Sequence, residues 1–76
     1  SLAYNLQNTK QFKRAYYFFR MNIENYPGSF NVYDSMGDYY VATGNNQKAT
    51  NYYLKAVGIG DFGETREKVE KLKGGR

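Results

Sequence analysis

The chain repeats itself at a spacing of 34 residues, and this period constrains the fold more than any other feature of the sequence. Ala15 and Phe19 recur as Ala49 and Tyr53. Apolar residues within each copy follow the spacing of helix faces. A period of about 34 residues with helical spacing is typical of arrays of helical hairpins, in which each unit buries its apolar face against the next. The sequence therefore predicts an all-α stack.

Helix-ending residues divide the first half of the chain into two predicted helices. We expect a short helix over residues 2–8, an interruption at Thr9-Lys10, and a second helix over residues 11–25. Pro27-Gly28 ends the second helix, because proline cannot continue a helix and disfavours helical geometry at the preceding residue. These two helices form the first hairpin of the predicted stack.

The second half of the sequence predicts a complete hairpin and a final helix. Ser29 is the predicted N-cap of the next helix, and Gly44 lies where a left-handed residue ends it. Asn45 or Asn46 then caps a further helix, which a glycine-rich stretch ends. A charged helix over residues 64–73 is expected to close the stack against water.

Together these elements predict an all-α domain of two antiparallel helical hairpins, the first truncated, plus a C-terminal capping helix. We expect one domain over residues 1–73 and a frayed tail over residues 74–76, and we interpret the chain as a C-terminal fragment of a larger protein. Helical arrays usually need about three units for stability. We therefore expect self-association, for example as a symmetric dimer through an N-terminal helix that exposes Leu2, Leu6 and Phe12.

The composition argues against catalysis. The 76 residues contain no histidine and no cysteine, which removes the usual general base, the commonest metal ligand and every disulfide. Ser35 has no histidine partner and no G-x-S-x-G context. The G-x-G-x-x-G string at residues 58–63 follows a predicted helix, whereas dinucleotide binding needs a strand there. We expect no catalytic residue, cofactor or metal in this segment.

Charge and hydropathy bear on the partners. The net charge is +4, but the last helix alternates basic and acidic residues, which is typical of a solvated surface. No apolar run approaches the roughly 20 residues of a membrane span. We therefore expect neither nucleic acid nor membrane as a partner.

Aromatic residues occur in adjacent groups. Successive side chains of a helix point about 100° apart, so only one of two adjacent rings can face inward. We expect Tyr16, Phe19, Tyr40 and Tyr53 to pack between helices. For the rings next to these, the pattern does not decide whether they are buried, exposed or part of an interface: Tyr17, Tyr39 and Tyr52.

The second repeat resembles the tetratricopeptide repeat, whose pattern is W-x2-L-G-x2-Y, then A-x3-F, then P. Residues 33–40 read Y-x2-M-G-x2-Y, and Ala49-x3-Tyr53 follows. The first copy keeps Ala15, Phe19 and Pro27, with Ala3 and Leu6 in its first helix. The departures are Asp61 in the proline position and Asn22 where a small residue is expected.

This resemblance implies a partner-binding groove lined by the first helix of each unit, and therefore a protein-interaction or scaffolding function with a protein or peptide partner. Asp34 and Asp38 argue against the clamping of a carboxylate and favour a basic or neutral polar partner. Replacing both with alanine is expected to weaken binding without changing the melting temperature. The implied groove residues are Tyr4, Gln7, Asn8, Asn31, Asp34, Ser35, Asp38, Val41 and Ala42.

Residues 22–38 also resemble the short repeat tail of certain bacterial serine hydrolases, namely α/β-hydrolase esterases and β-lactamase-like enzymes. This second resemblance implies an alternative function. The chain would be an accessory domain that packs on or positions the catalytic domain of its own parent chain. A periplasmic or secreted location would follow from that parentage, and the sequence assigns no compartment otherwise.

Overall fold

The computed structural model describes residues 2–60 and 63–74, and the side chains of residues 10–60 and 63–74. The described residues form four α-helices and contain no strand, which confirms the all-α prediction. The helices are α1 (Leu2–Asn25), α2 (Phe30–Ala42), α3 (Asn46–Ile59) and α4 (Glu64–Gly74). In the described part of the chain, no helix combines the length and apolarity needed to cross a membrane.

The helices pack in chain order, α1 on α2, α2 on α3 and α3 on α4. The Cα positions extend over 39 × 33 × 15 Å, so the protein is a flat stack of helices, in which α4 also contacts α2 through Lys68 and Thr65. A stack of this kind leaves one face of α1 and one face of α4 unpacked at its two ends.

The turn between α2 and α3 is formed as the glycine and asparagine positions predict. Gly44 has φ +86°, in the left-handed region. Its N–H donates to the Val41 carbonyl at 3.1 Å, and the Asn45 N–H donates to the Tyr40 carbonyl at 2.8 Å, which is the hydrogen-bond pair of a Schellman motif. Asn45, and not Asn46, caps α3, since its Oδ1 accepts from the Lys48 N–H at 3.1 Å.

The predicted interruption at Thr9-Lys10 is wrong, because α1 is one continuous helix. The 34-residue correspondence places Lys10 where the second unit has Gly44, and Gln11 where it has Asn45. A left-handed conformation costs a non-glycine residue roughly 1–2 kcal/mol. Glutamine is also a poorer N-cap than asparagine. The first copy therefore lacks both residues that end one helix and start the next.

The core lies between α2, α3 and α4, along the inner faces that the sequence predicts. Met36, Ala49 and Ala56 are fully buried, and Tyr53 and Val69 nearly so. A second, smaller contact joins α1 to α2 through aromatic rings. In that contact, the rings of Phe12, Tyr16 and Phe19 lie 6.2, 5.8 and 6.3 Å from the ring of Tyr39.

Candidate functional site

The predicted groove face of α2 carries two carboxylates that the fold turns toward α4. Lys68 Nζ lies 3.1 Å from Asp34 Oδ2 and 3.1 Å from Asp38 Oδ1. The buried Thr65 hydroxyl donates to Asp34 Oδ1 at 2.7 Å. The Tyr53 hydroxyl donates to Asp38 Oδ1 at 2.5 Å. This network ties α4 to α2 and α3 through polar side chains.

The protonation states of this network favour the folded chain. Burial lowers the pKa of Lys68, but its hydrogen bonds to Asp34 and Asp38 outweigh that effect and raise the pKa above the ordinary value. Burial, and then the hydrogen bond to Asp38, raises the pKa of Tyr53. Around neutral pH, Lys68 is therefore a cation and Tyr53 a neutral hydrogen-bond donor.

Next to this network, α2, α3 and α4 leave an open cleft of about 250 Å³. Val41, Tyr53 and Leu72 supply its apolar surface, and three charged residues also line it: Asp38, Lys68 and Lys71. Small-molecule sites usually enclose about 300–1,000 Å³. The cleft is smaller and open, which suits one or two side chains of a bound polypeptide better than an enclosed ligand.

The predicted groove residues differ in what they offer a partner. Asp34 is half-buried and engaged by Thr65 and Lys68, so it serves the fold. The side chain of Asp38 remains 53% exposed despite its contacts. Val41 lines the cleft and is 41% exposed. Ser35 is half-buried, whereas two others are exposed but outside the cleft: Asn31 and Ala42.

Three predicted groove residues on the N-terminal part of α1 lie outside the range in which the structure describes side chains: Tyr4, Gln7 and Asn8. Sequence reasoning missed Lys68, Lys71 and Leu72 as cleft residues. One signal could have found Lys68, because it follows Asp34 by 34 residues, one full repeat period, with the opposite charge. Spacing along α4 alone would instead pair Lys68 with Glu64, four residues before it.

A second exposed surface lies on α1. Tyr17, Phe18 and Met21 are 68%, 59% and 55% exposed on the side of the helix that faces away from α2. Of the apolar residues expected to be exposed there, Phe12 is instead half-buried against Tyr39. The expected exposure of Leu2 and Leu6 falls outside the described side chains.

Within the described residues, no three histidine, cysteine, aspartate or glutamate side chains lie together so as to hold a metal ion. No protein-family model matches the chain, and neither the curated proteins nor the solved structures contain a match to it. The four described helices define its class, a small all-α domain whose arrangement is consistent with packed helical hairpins.

Proposed function

We propose that this chain is a non-catalytic protein-interaction module of the tetratricopeptide-like kind, which binds a polypeptide segment in the cleft between α2 and α4. The observation that carries the proposal is the cleft itself, which is lined by both apolar and charged side chains. An apolar centre with a polar rim is the usual anatomy of a protein interface.

The repeat geometry supports the tetratricopeptide-like assignment. Gly37 lies against the ring of Tyr53, so the small residue of the first helix meets the large residue of the second. Asp34 and Lys68, one period apart, bring α2 and α4 together side by side. In such an array these would be the first helices of consecutive units, which line the groove.

The side chains of the cleft indicate the chemistry of the partner. Val41 and Leu72 can cover an apolar side chain, whose burial contributes about 1.5–3 kcal/mol. Asp38 keeps an exposed carboxylate edge that can accept from a basic or neutral polar group. Lys71, which also lines the cleft, can pair with a carbonyl or carboxylate of the same segment.

Selection from a peptide library displayed on phage tests this proposal. We expect enriched peptides with an apolar residue next to a basic or amide residue. Val41→Arg should weaken their binding at least about tenfold, because it replaces part of the apolar lining with a charged guanidinium. Leu54→Arg is the matched control, since Leu54 is similarly exposed on α3 but does not line the cleft. Equal effects of the two substitutions, or no enrichment, would contradict the proposal.

A second candidate function is that of an accessory domain of a serine hydrolase. The exposed rings and methionine of α1 favour it, because a preceding catalytic domain could cover them. The test is the sequence that precedes Ser1 in the natural polypeptide. A catalytic domain with G-x-S-x-G or S-x-x-K supports the accessory function, whereas further 34-residue units there contradict it.

A further inference from the structure

The outer face of α1 combines exposed apolar and basic side chains. We use this name for Tyr17, Phe18 and Met21 together with Lys10, Lys13, Arg14 and Arg20. The opposite side of the helix, with Tyr16 and Phe19, packs on Tyr39 of α2. The packing of α1 on α2 therefore does not use these exposed apolar side chains. They lie within about one helical turn of each other.

The charge of α1 is concentrated and of one sign. The helix contains four basic residues and one acidic residue, a net charge of +3 compared with +4 for the whole chain. Glu24 lies 3.9 Å from Arg20 and so already has a basic neighbour. Among the residues that the structure describes, no acidic side chain pairs with Lys10, Lys13 or Arg14.

Arg14 lies within the apolar part of this face. It precedes Tyr17 by three residues and Phe18 by four, so the three side chains share neighbouring positions on the helix surface. A partner that covers the two rings must also cover the guanidinium. That contact is favourable only if the partner supplies an acceptor, and a carboxylate can accept two parallel hydrogen bonds from it.

We infer that the outer face of α1 binds an acidic amphipathic helix of another protein segment, with the partner's apolar stripe on Tyr17, Phe18 and Met21 and its carboxylates on the basic residues. Side chains four residues apart form the ridges that pack into the grooves of a second helix. This surface is distinct from the α2–α4 cleft, so this inference and the peptide-binding proposal can fail independently, whereas the accessory-domain alternative uses the same side chains.

Three other occupants fit less well. A second copy of the chain would place two faces of net positive charge against each other, which costs free energy. An anionic bilayer favours cations at the edge of an apolar face, whereas Arg14 lies beside the rings. Single-stranded nucleic acid is usually held in a positively charged groove, and this face is the convex surface of one helix.

A pair of synthetic helical peptides of about five turns tests the inference. Both carry leucines at helical i, i+3, i+4, i+7 spacing, flanked by glutamates in one and by lysines in the other. With the full chain, fluorescence anisotropy is expected to give at least about tenfold tighter binding of the glutamate peptide, an advantage that falls as salt rises. Equal binding of both peptides would overturn the inference.

Substitutions assign the binding to the outer face of α1. Phe18→Ser should weaken binding of the glutamate peptide about tenfold, whereas Leu54→Ser, at a comparably exposed apolar residue on α3, should leave it unchanged. The double variant Lys13→Glu, Arg14→Glu should reverse the preference toward the lysine peptide. An unreversed preference, or equal loss in the Leu54 control, would place the binding elsewhere and overturn the inference.

Three direct assays examine the competing occupants. Sedimentation of the chain alone detects a dimer, flotation with phosphatidylserine vesicles detects bilayer binding, and anisotropy with oligothymidylate detects nucleic-acid binding. We expect all three to be weaker than glutamate-peptide binding and insensitive to Phe18→Ser. An interaction that is tighter than that of the peptide and lost in Phe18→Ser would replace the acidic helix as the occupant.

Discussion

At the residue scale, Gly37 of α2 packs closely against the ring of Tyr53 on α3. A Cβ atom at residue 37 would overlap ring atoms of Tyr53. The ring cannot easily move, because its hydroxyl is held by Asp38 and its side chain is almost fully buried. Glycine at this position is therefore required by the distance between two helices, and not by backbone conformation.

Gly37→Ala is expected to destabilise the chain by about 1–3 kcal/mol, the usual cost of overpacking a core. Gly58→Ala is the matched control, because no atom lies within 4 Å of a Cβ built there. Residue 58 is helical, so alanine should stabilise it by about 0.5–1 kcal/mol. Urea unfolding measures both changes, and a Gly37→Ala variant as stable as the parent would show that α2 and α3 are farther apart.

At the scale of the helix, the two copies of the repeat differ because their turn residues differ. Gly44 and Asn45 end α2 and start α3, whereas Lys10 and Gln11 let α1 continue. The continuity of α1 thus depends on which residues occupy positions 10 and 11. The sequence left open whether Tyr39 is buried. In the structure Tyr39 is the centre of the α1–α2 contact, because three rings of α1 pack around it.

The double variant Lys10→Gly, Gln11→Asn should introduce a helix end at residues 9–11, since it restores the turn residues of the second copy. NMR Cα shifts measure the result, and we expect helical values to be lost at these residues and kept on both sides. The control is Lys13→Gly, which adds glycine without a capping residue and should only weaken the helix by about 1 kcal/mol. Unchanged helical shifts in the double variant would contradict the role of the turn residues.

From the sequence, alanine at Asp34 and Asp38 is expected to leave the melting temperature unchanged. The attachment of α4 to α2 changes this expectation. We now expect Asp34→Ala to lower the melting temperature, because it leaves the buried Thr65 hydroxyl without its acceptor, at a cost of about 1–3 kcal/mol. In this variant, hydrogen exchange should also speed up more in α4 than in α3. Glu70→Ala, at an exposed residue of α4, is the control and should change neither. An unaffected melt in Asp34→Ala would mean that the polar network contributes little.

At the scale of the whole molecule, the protein is an open stack with unlike ends. The outward side of α4 is charged, with Glu67 and Glu70 exposed, as expected for a cap. The outward side of α1 exposes Tyr17, Phe18 and Met21. One end of the stack thus presents charged side chains to water, and the other presents apolar side chains that are suited to a further contact.

Stability should fall at alkaline pH. The folded chain raises the pKa of Lys68 and of Tyr53 above their ordinary values of 10.5 and 10.0, so the folded state holds protons that the unfolded state releases. Their contribution is complete below about pH 10 and is lost as pH rises further. Thermal melts across this range measure the slope, which Tyr53→Phe should make shallower. A melting temperature that is constant from neutral to strongly alkaline pH would contradict this linkage.

The sequence alone predicts α2, α3 and α4 and their buried faces, because helix periodicity and the residues that end a helix act locally. Ser29 occupies the predicted N-cap position of α2 with extended backbone, although its side chain makes no capping bond. The predicted turn of the first hairpin is wrong at Thr9-Lys10, because a polar pair does not by itself end a helix. The candidate cleft could be predicted in part, through Asp38 and Val41 of its α2 side.

The sequence by itself therefore determines the all-α class, the 34-residue repeat and the inner faces of the second unit, since these depend on spacing along the chain. Only the tertiary structure decides that Lys68 pairs with Asp34 and Asp38 and that Leu72 joins Val41 in the cleft. It also decides that Tyr17, Phe18 and Met21 are the apolar side chains left exposed on α1. These outcomes depend on distances between helices, because a side chain takes whichever partner the packing brings within reach.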